Sequence, residues 1–361
     1  MSTPVLDDLL AVLADRTDPA DYPHAAAVEQ EVLVYDPDGV RAAPPAELVR
    51  AFADGPGVLV VRGALDRATV DRATTEFDAM IAEQHAAGAS AGDHFAPPGA
   101  NDRVWNALEK LAVRAPAVFV DYYSTDVLAL VANAWLGPGY QVTSQVNVVH
   151  PGGTAQVGHR DYHLGFLPPA AIARYPEHVH RLSPVLTLQG AVAHVDMPVE
   201  SGPTLYLPHS QKYGPGYLAT GRPEFAAHFA EHHVQLPLRT GDAAFFNPAV
   251  IHGAGTNRSA DVRRTANLLQ ISSAFGRAME SVDRARICRA VYPHLGPAHG
   301  HAIATAAEGY AFPTNLDRDP PVSGLAPPSQ ADLVWQAVAE GWSPDTFDAA
   351  LEAHSIRRET H

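Results

Sequence analysis

The sequence predicts a mainly β fold with helical extensions: a double-stranded β-helix, the jelly roll of cupin-like proteins, flanked by amino- and carboxyl-terminal helices. Three observations predict it. Short β-rich runs separated by turn residues occupy Gln141 to His150, Val185 to Val195, Thr204 to Leu207, Ala243 to His252 and Arg264 to Ser272. Apolar residues at helical spacing precede and follow that block. No internal repeat at a fixed period occurs, which excludes solenoids and propellers.

Taken in order, the first hundred or so residues read as mainly helical. Thr3-Pro4 forms a capped entry to an apolar pattern through Leu6, Leu9, Leu10 and Leu13. After the turn Asp54-Gly55-Pro56-Gly57, the run Val58 to Val61 has the β-branched character of a buried strand. Asp66 caps a helix whose apolar positions Val70, Phe77, Met80 and Ile81 continue towards Gly88. The aperiodic stretch Ala91 to Asn101 reads as a loop able to cover a cleft. A helical pattern from Pro116 to Leu136 closes at Gly137-Pro138-Gly139, where the β-rich texture begins. Beyond Ser273 helices return, interrupted by an irregular proline-rich stretch from Pro313 to Pro328, and Ser343-Pro344 starts the last one.

At 361 residues the chain is long for one domain, but jelly rolls with appended helices reach this length. We therefore expect a single unit over 1–361: a mainly helical region 1–136 with a first strand near 58–61, a jelly-roll core 137–273, and a helical, proline-rich extension 274–361. Apolar residues make up 46% of the chain, enough for a sizeable core, without a run long enough to cross a bilayer. Asp7 and Asp8 stand where a secretory segment would be basic. The single cysteine, Cys288, excludes an intrachain disulfide framework and fits a reducing compartment, so a cytoplasmic location is expected. A formal charge of -15, with only two lysines, disfavours nucleic acid and anionic membranes as partners.

Chemistry concentrates at His159 and Asp161. Two residues apart on an extended strand, their side chains share one face while Arg160 points away. His252 ends the run Ala244 to Ile251, in which Asn247-Pro248 reads as a bulge, and a facing strand can bring it to the same point. Two imidazoles and one carboxylate on one face of an octahedral metal leave positions open for a cosubstrate and oxygen, the arrangement of non-heme Fe(II) oxygenases. Eleven positions after His252, Arg263 offers a planar fork for the distal carboxylate of a diacid such as 2-oxoglutarate. Alternation groups Arg263 with Thr265, Asn267 and Leu269, and this face is taken as the interior, with Thr265 adding a hydroxyl. Gln145 and Asn147 share a strand face, as do Thr187 and Gln189 with Ala191 and Ala193; polar groups beside small ones suit a ligand cavity. Among the other histidines, His163, His178, His180, His194, His209, His232 and His233 read as surface or satisfied core groups. Trp105, Tyr162 and His163 are candidates to touch substrate, although core burial is the expected fate of the tryptophan, and Tyr310 and Phe312 are candidates to reach the cleft.

Three stretches resemble the phytanoyl-CoA dioxygenase family of iron and 2-oxoglutarate oxygenases: Gly158-His159-Arg160-Asp161-Tyr162-His163, Glu200 through Lys212, and Gly241-Asp242 through His252-Gly253 to Arg263. Gly57 to Gly63 is similar to the family's first strand, so the likeness runs from about Gly57 to Ser272. The resemblance implies iron held by His159, Asp161 and His252, with 2-oxoglutarate held by Arg263. Some relatives carry serine two residues after the distal histidine; this chain has Ala254, so another group, such as Thr265, must replace that contact. Halogenating relatives lack the carboxylate, and Asp161 argues against that chemistry. The implied reaction hydroxylates an unactivated C–H bond of a small-molecule metabolite, consuming O2 and releasing succinate and CO2. Scarce lysine disfavours a coenzyme A thioester. The alternatives are a jelly-roll metal enzyme that does not use 2-oxoglutarate and a non-catalytic ligand-binding jelly roll.

Overall fold

In the computed structural model, residues 3–88, 101–322 and 324–360 are described. Eleven strands occur among them: β1 (Ala27–Glu29), β2 (Val32–Tyr35), β3 (Val58–Val61), β4 (Asn101–Val104), β5 (Gln141–Val149), β6 (Thr187–Ala193), β7 (Leu205–Leu207), β8 (Val234–Gln235), β9 (Ala243–Phe246), β10 (Ile251–Gly253) and β11 (Arg264–Ser272). They form a major sheet ordered β1-β2-β3-β9-β6-β11-β5-β4 and a minor sheet ordered β10-β7-β8. All pairings are antiparallel except β2 with β3.

Period-two alternation gives the major sheet two unlike faces. Leu59, Val142, Val146, Leu188, Val192, Phe245, Leu269 and Ile271 turn to the helices, where they meet Phe77, Leu108, Phe119 and Tyr122 in the largest apolar core. The opposite face turns to the minor sheet. There Val58, Val60, Ala244 and Phe246 pack with Tyr206 and Val250 to close one end of the space between the sheets. Both faces are covered, so β3 reads as the unbroken apolar run Val58-Leu59-Val60-Val61.

The helical layer follows its local signals with three adjustments. The first helix spans Leu6–Leu13 and has Val5 at its N-cap with no side-chain cap bond, so Thr3-Pro4 lies outside it. Asp66 caps the helix Arg67–Ala86 by accepting from the Thr69 amide at 2.9 Å. The pattern from Pro116 to Leu136 divides at Ser124-Thr125 into Pro116–Tyr123 and Asp126–Leu136. Ser343 caps the final helix, Pro344–Arg358. β1 and β2 precede the strand near 58–61 that was expected to be the first, and the run Val32-Leu33-Val34-Tyr35 was their sequence signal. The expected cleft-covering loop lies outside the described residues apart from Asn101, which opens β4.

Asn247-Pro248 is not a bulge within one strand. It is the turn at which the chain leaves the major sheet after β9 and enters the minor sheet as β10. Asn247 secures this crossing, its Nδ2 donating to the Phe52 carbonyl at 3.1 Å and its Oδ1 accepting from the Ala249 amide at 2.9 Å.

Candidate metal and cosubstrate centre

His252 sits mid-strand in β10, and His159 pairs with it across an antiparallel bridge: His159 N donates to His252 O at 2.9 Å, and His252 N to His159 O at 3.0 Å. The Asp161 amide donates to the Pro248 carbonyl at 3.1 Å. The extended segment 159–161 thereby lies along β10, and the two-residue spacing turns His159 and Asp161 to one face. Arg160 faces away, as its position requires. Its Nη2 donates to the carbonyls of Ser210 and Tyr213, and its guanidinium lies 5.4 Å from the Tyr217 ring. Gly216 makes room for it, because a Cβ there would lie 1.8 Å from Arg160 Cζ. Tyr217 Oη also donates to the Asp161 carbonyl at 3.1 Å. These anchors hold the ligand segment from behind.

The ligand atoms of His159, Asp161 and His252 all lie within 4.8 Å of one another. His159 Nε2 is 3.6 Å from Asp161 Oδ1, and His252 Nε2 is 3.4 Å from Asp161 Oδ2. Each imidazole donates its Nδ1–H to a carbonyl two residues back, Val157 at 2.8 Å and Val250 at 2.9 Å. A carbonyl only accepts, so the proton sits on Nδ1 and Nε2 presents a lone pair inward, the tautomer a metal needs. Burial, with the neighbouring His252, pushes the His159 pKa down against the pull of Asp161. Burial alone would raise Asp161, but His252, His159 and the Gln189 amide outweigh it and hold this carboxyl well below the usual carboxylate range. Gln189 Nε2 donates to Asp161 Oδ2 at 2.6 Å. The donor set therefore fits Fe(II): two imidazole nitrogens, one ionised oxygen, no thiolate.

These three side chains open into a cavity of about 250 Å³ between the sheets. A larger surface hollow of about 630 Å³, bordered by Glu83, Lys110 and Arg114, shares no residue with it and holds none of the convergent groups. Gln145 and Asn147 of β5 line the inner cavity, as do Gln189, Ala191 and Ala193 of β6. Their register explains why: Ala266 pairs with Asn147 and Ala193, and Leu268 with Gln145 and Ala191. Ala266, Leu268 and Gln270 complete that face, whereas Thr187 is not among the lining residues.

The same register corrects the arginine assignment. Arg264, not Arg263, faces the cavity. The Arg263 side chain is 52% exposed and reaches Asp102 Oδ2 at 3.4 Å, on the helical side of the sheet. Thr265 goes with it, its Oγ1 donating to the Arg263 carbonyl at 3.1 Å, and it does not line the cavity. Asn267 and Leu269 point the same way, Asn267 towards the hydroxyls of Tyr122 and Tyr123 and Leu269 into the large core. Neither Arg263 nor Thr265 is placed to touch a ligand at the triad, so Thr265 does not replace the contact missing at Ala254. Arg264 is only 6% exposed. Its Nη1 donates to Gly255 O at 3.0 Å and Ser201 O at 3.3 Å, and burial pushes its pKa down to about 10. Among the described residues no carboxylate pairs with it. A buried guanidinium without an anion is costly, and a bound diacid would supply one.

Sequence reasoning missed one lining residue on β4, Arg103, and favoured the core for another just beyond it, Trp105. Trp105, expected in the core, is 39% exposed at the cavity mouth. Tyr162 is buried, His163 contacts Ser183, and Tyr310 packs on Phe275 and Phe312; none of these lines the cavity. His194 is a satisfied core histidine. Thr74 Oγ1 donates to the Val70 carbonyl and so accepts from His194 Nδ1 at 2.7 Å, which leaves Nε2 to accept from Tyr122 Oη at 3.0 Å.

Two sheets enclosing a pair of imidazoles, one carboxylate and a buried guanidinium define the class of mononuclear non-heme iron jelly rolls. The chain belongs to the phytanoyl-CoA dioxygenase (PhyH) family, whose pattern matches residues 53–265. It is accordingly an oxygenase-type enzyme that uses iron and 2-oxoglutarate, acting on a small molecule with O2. Similar solved structures include the non-heme alpha ketoglutarate dependent epimerase SnoN from nogalamycin biosynthesis, 23% identical, covering 64% of this chain and 82% of that one at a TM-score of 0.45. Another is the carbocyclase SnoK from nogalamycin biosynthesis, 20% identical, covering 65% and 86% at 0.47. No curated protein matches the chain. No helix among the described residues is long and apolar enough to cross a membrane.

Proposed function

We propose that this chain is an Fe(II)- and 2-oxoglutarate-dependent dioxygenase that hydroxylates an unactivated C–H bond of a small-molecule metabolite, releasing succinate and CO2. The observation that carries the reading is the convergence of His159, Asp161 and His252 in one cavity with the buried Arg264, with which no carboxylate among the described residues pairs. Residues 1–361 act as one oxygenase unit, in which helix Arg284–Val291 of the carboxyl extension contacts helix Ala107–Arg114 of the amino-terminal region.

Within it, His159 Nε2, His252 Nε2 and an Asp161 oxygen would hold the metal, and Gln189 holds Asp161 in its ligating orientation. Arg264 would receive the distal carboxylate of 2-oxoglutarate through a charge-assisted pair. When bound, the iron would let O2 act as the oxidant, two of its electron equivalents being met by decarboxylation of the oxoacid and two by oxidation of the substrate carbon. The protein's own part is to place that carbon at the triad and to exclude competing water, for which the apolar walls Ala191, Ala266 and Leu268 are suited.

A succinate-release screen over diverse metabolites, with Fe(II), O2 and 2-oxoglutarate, tests the reading. Wild type should form succinate in step with hydroxylated product, and His159→Ala should form neither. Turnover at full rate without any oxoacid would assign the chain to jelly-roll metal enzymes of a different chemistry.

A further inference from the structure

We infer that the substrate is an uncharged, aromatic ring-bearing molecule carrying a hydrogen-bond donor, held partly outside the cavity against a wall formed by Trp105, Phe166 and Met279. The inference rests on the oxygenase reading and concerns the substrate side of the same site.

Size comes first. Small-molecule pockets usually hold about 300–1,000 Å³, and this cavity holds about 250 Å³, part of which the cosubstrate must share. The space left admits the reacting end of a substrate, and the remainder must lie at the mouth. The mouth is apolar: Trp105 follows β4, Phe166 ends the short helix His163–Phe166, and Met279 lies beyond β11, each at least partly open to solvent. Isolated exposed apolar side chains are ordinary. Three from separate elements gathered at one opening are not.

These groups are also held in place. Gln145 is 2% exposed and serves as a tie: its Oε1 accepts from Arg103 Nη1 at 3.3 Å, and its Nε2 reaches Met279 Sδ at 3.6 Å. The Arg103 guanidinium lies 4.7 Å from the Trp105 ring, a cation–π contact that restrains the indole. A rigid aromatic surface of this kind favours another ring over a flexible chain, because aromatic pairs gain about 0.5–1.5 kcal/mol beyond area burial.

Charge narrows the class further. Among the described lining residues the cations are Arg103, engaged as above, and Arg264, deep in the cavity beside the triad; no lysine is present, and Asp161 is the one carboxylate. Among the described lining residues, a polyphosphate would meet at the mouth only the engaged Arg103, and an ammonium group would meet no carboxylate there. Asn147 Oδ1 and Gln189 Oε1 are buried in the lining without hydrogen-bond partners. Both are acceptors, and a substrate hydroxyl would satisfy either.

The test uses 2-naphthol as the probe, with decan-1-ol, of equal carbon number but no ring, and decanoyl-CoA as comparators, titrated calorimetrically into anaerobic protein loaded with Fe(II) and 2-oxoglutarate. Loading is checked first by the weak visible charge-transfer band of a 2-oxoglutarate–iron site. A wild type that develops no such band fails the oxygenase reading, and the inference falls with it. With the band present, 2-naphthol should bind about tenfold tighter than either comparator, and Trp105→Ala should remove that preference, since about 1.4 kcal/mol is tenfold. Trp105→Phe, which keeps a ring, should retain most of it, and Phe166→Ala probes the wall from a separate element. Equal or tighter binding of decan-1-ol or decanoyl-CoA, or a preference unchanged in both alanine variants, overturns the substrate class while leaving the oxygenase reading intact.

Discussion

Replacing Arg264 by methionine removes the cavity's guanidinium while keeping much of its apolar stem. Hydrogen bonds to charged groups contribute about 1.5–3 kcal/mol each, so losing a two-point contact with the distal carboxylate should cost about 3–6 kcal/mol of cosubstrate affinity. At about 1.4 kcal/mol per tenfold, the Kd for 2-oxoglutarate should rise by roughly 10² to 10⁴. Arg264→Lys keeps the charge but loses the planar fork and should fall between. The matched control is Arg263→Met. Arg263 is half exposed and paired with Asp102 at 3.4 Å, and such pairs contribute about 0–1 kcal/mol, so its loss should leave the Kd within about threefold. Anaerobic calorimetric titration of 2-oxoglutarate into Fe(II)-loaded variants reads both. The reverse ranking, with Arg263→Met weak and Arg264→Met unaffected, would refute the register argument that puts Arg264 inside.

Two further outcomes follow from the hydrogen bonds. Gln189→Leu removes the 2.6 Å bond to Asp161 Oδ2; loss of such a partner typically lowers metal affinity about 10- to 100-fold, which chelator competition for Fe(II) would measure, and unchanged affinity would show that Asp161 needs no positioning. His194, fully buried, has its pKa pushed down to about 3 by burial, while the unfolded chain takes the proton near about 6.5. The unfolded state then binds more protons across that window, so stability is full above about pH 6.5 and declines as pH falls towards about 3, by about 2 kcal/mol at pH 5. Denaturant melts should show this decline shrinking in His194→Gln; an identical pH dependence in both proteins would contradict the assignment.

Much of the site was legible because its chemistry has a spacing. The pair His159 and Asp161 works at two residues in any extended segment, and small residues such as Ala191 and Ala193 announce a face that leaves room for a ligand. The arginine was not legible, since alternation divides β11 into two faces without saying which is inner. Both are largely buried, one by the other sheet and one by helices, so polarity gives no cue at the doublet Arg263-Arg264. The signal that resolves it is pairwise: setting Ala266 and Leu268 opposite Gln145, Asn147, Ala191 and Ala193 puts the even-numbered residues of β11 on the cavity face. Asn247-Pro248 was misread for a related reason. A turn that changes sheets and a bulge within one strand break the same ladder, and only the partners of β9 and β10 tell them apart. Trp105 resembled core because tryptophan usually is; its place at the mouth depends on β4 being the edge strand of the major sheet.

Anaerobic crystals grown with Fe(II) and 2-oxoglutarate, with anomalous diffraction collected at the iron edge, would address the central claim most directly. The account predicts one iron peak about 2.0–2.2 Å from His159 Nε2, His252 Nε2 and an Asp161 oxygen, with the far carboxylate of the oxoacid on the Arg264 guanidinium. Iron held elsewhere, or a cosubstrate carboxylate bound by Arg263 with Arg264 left idle, would contradict it.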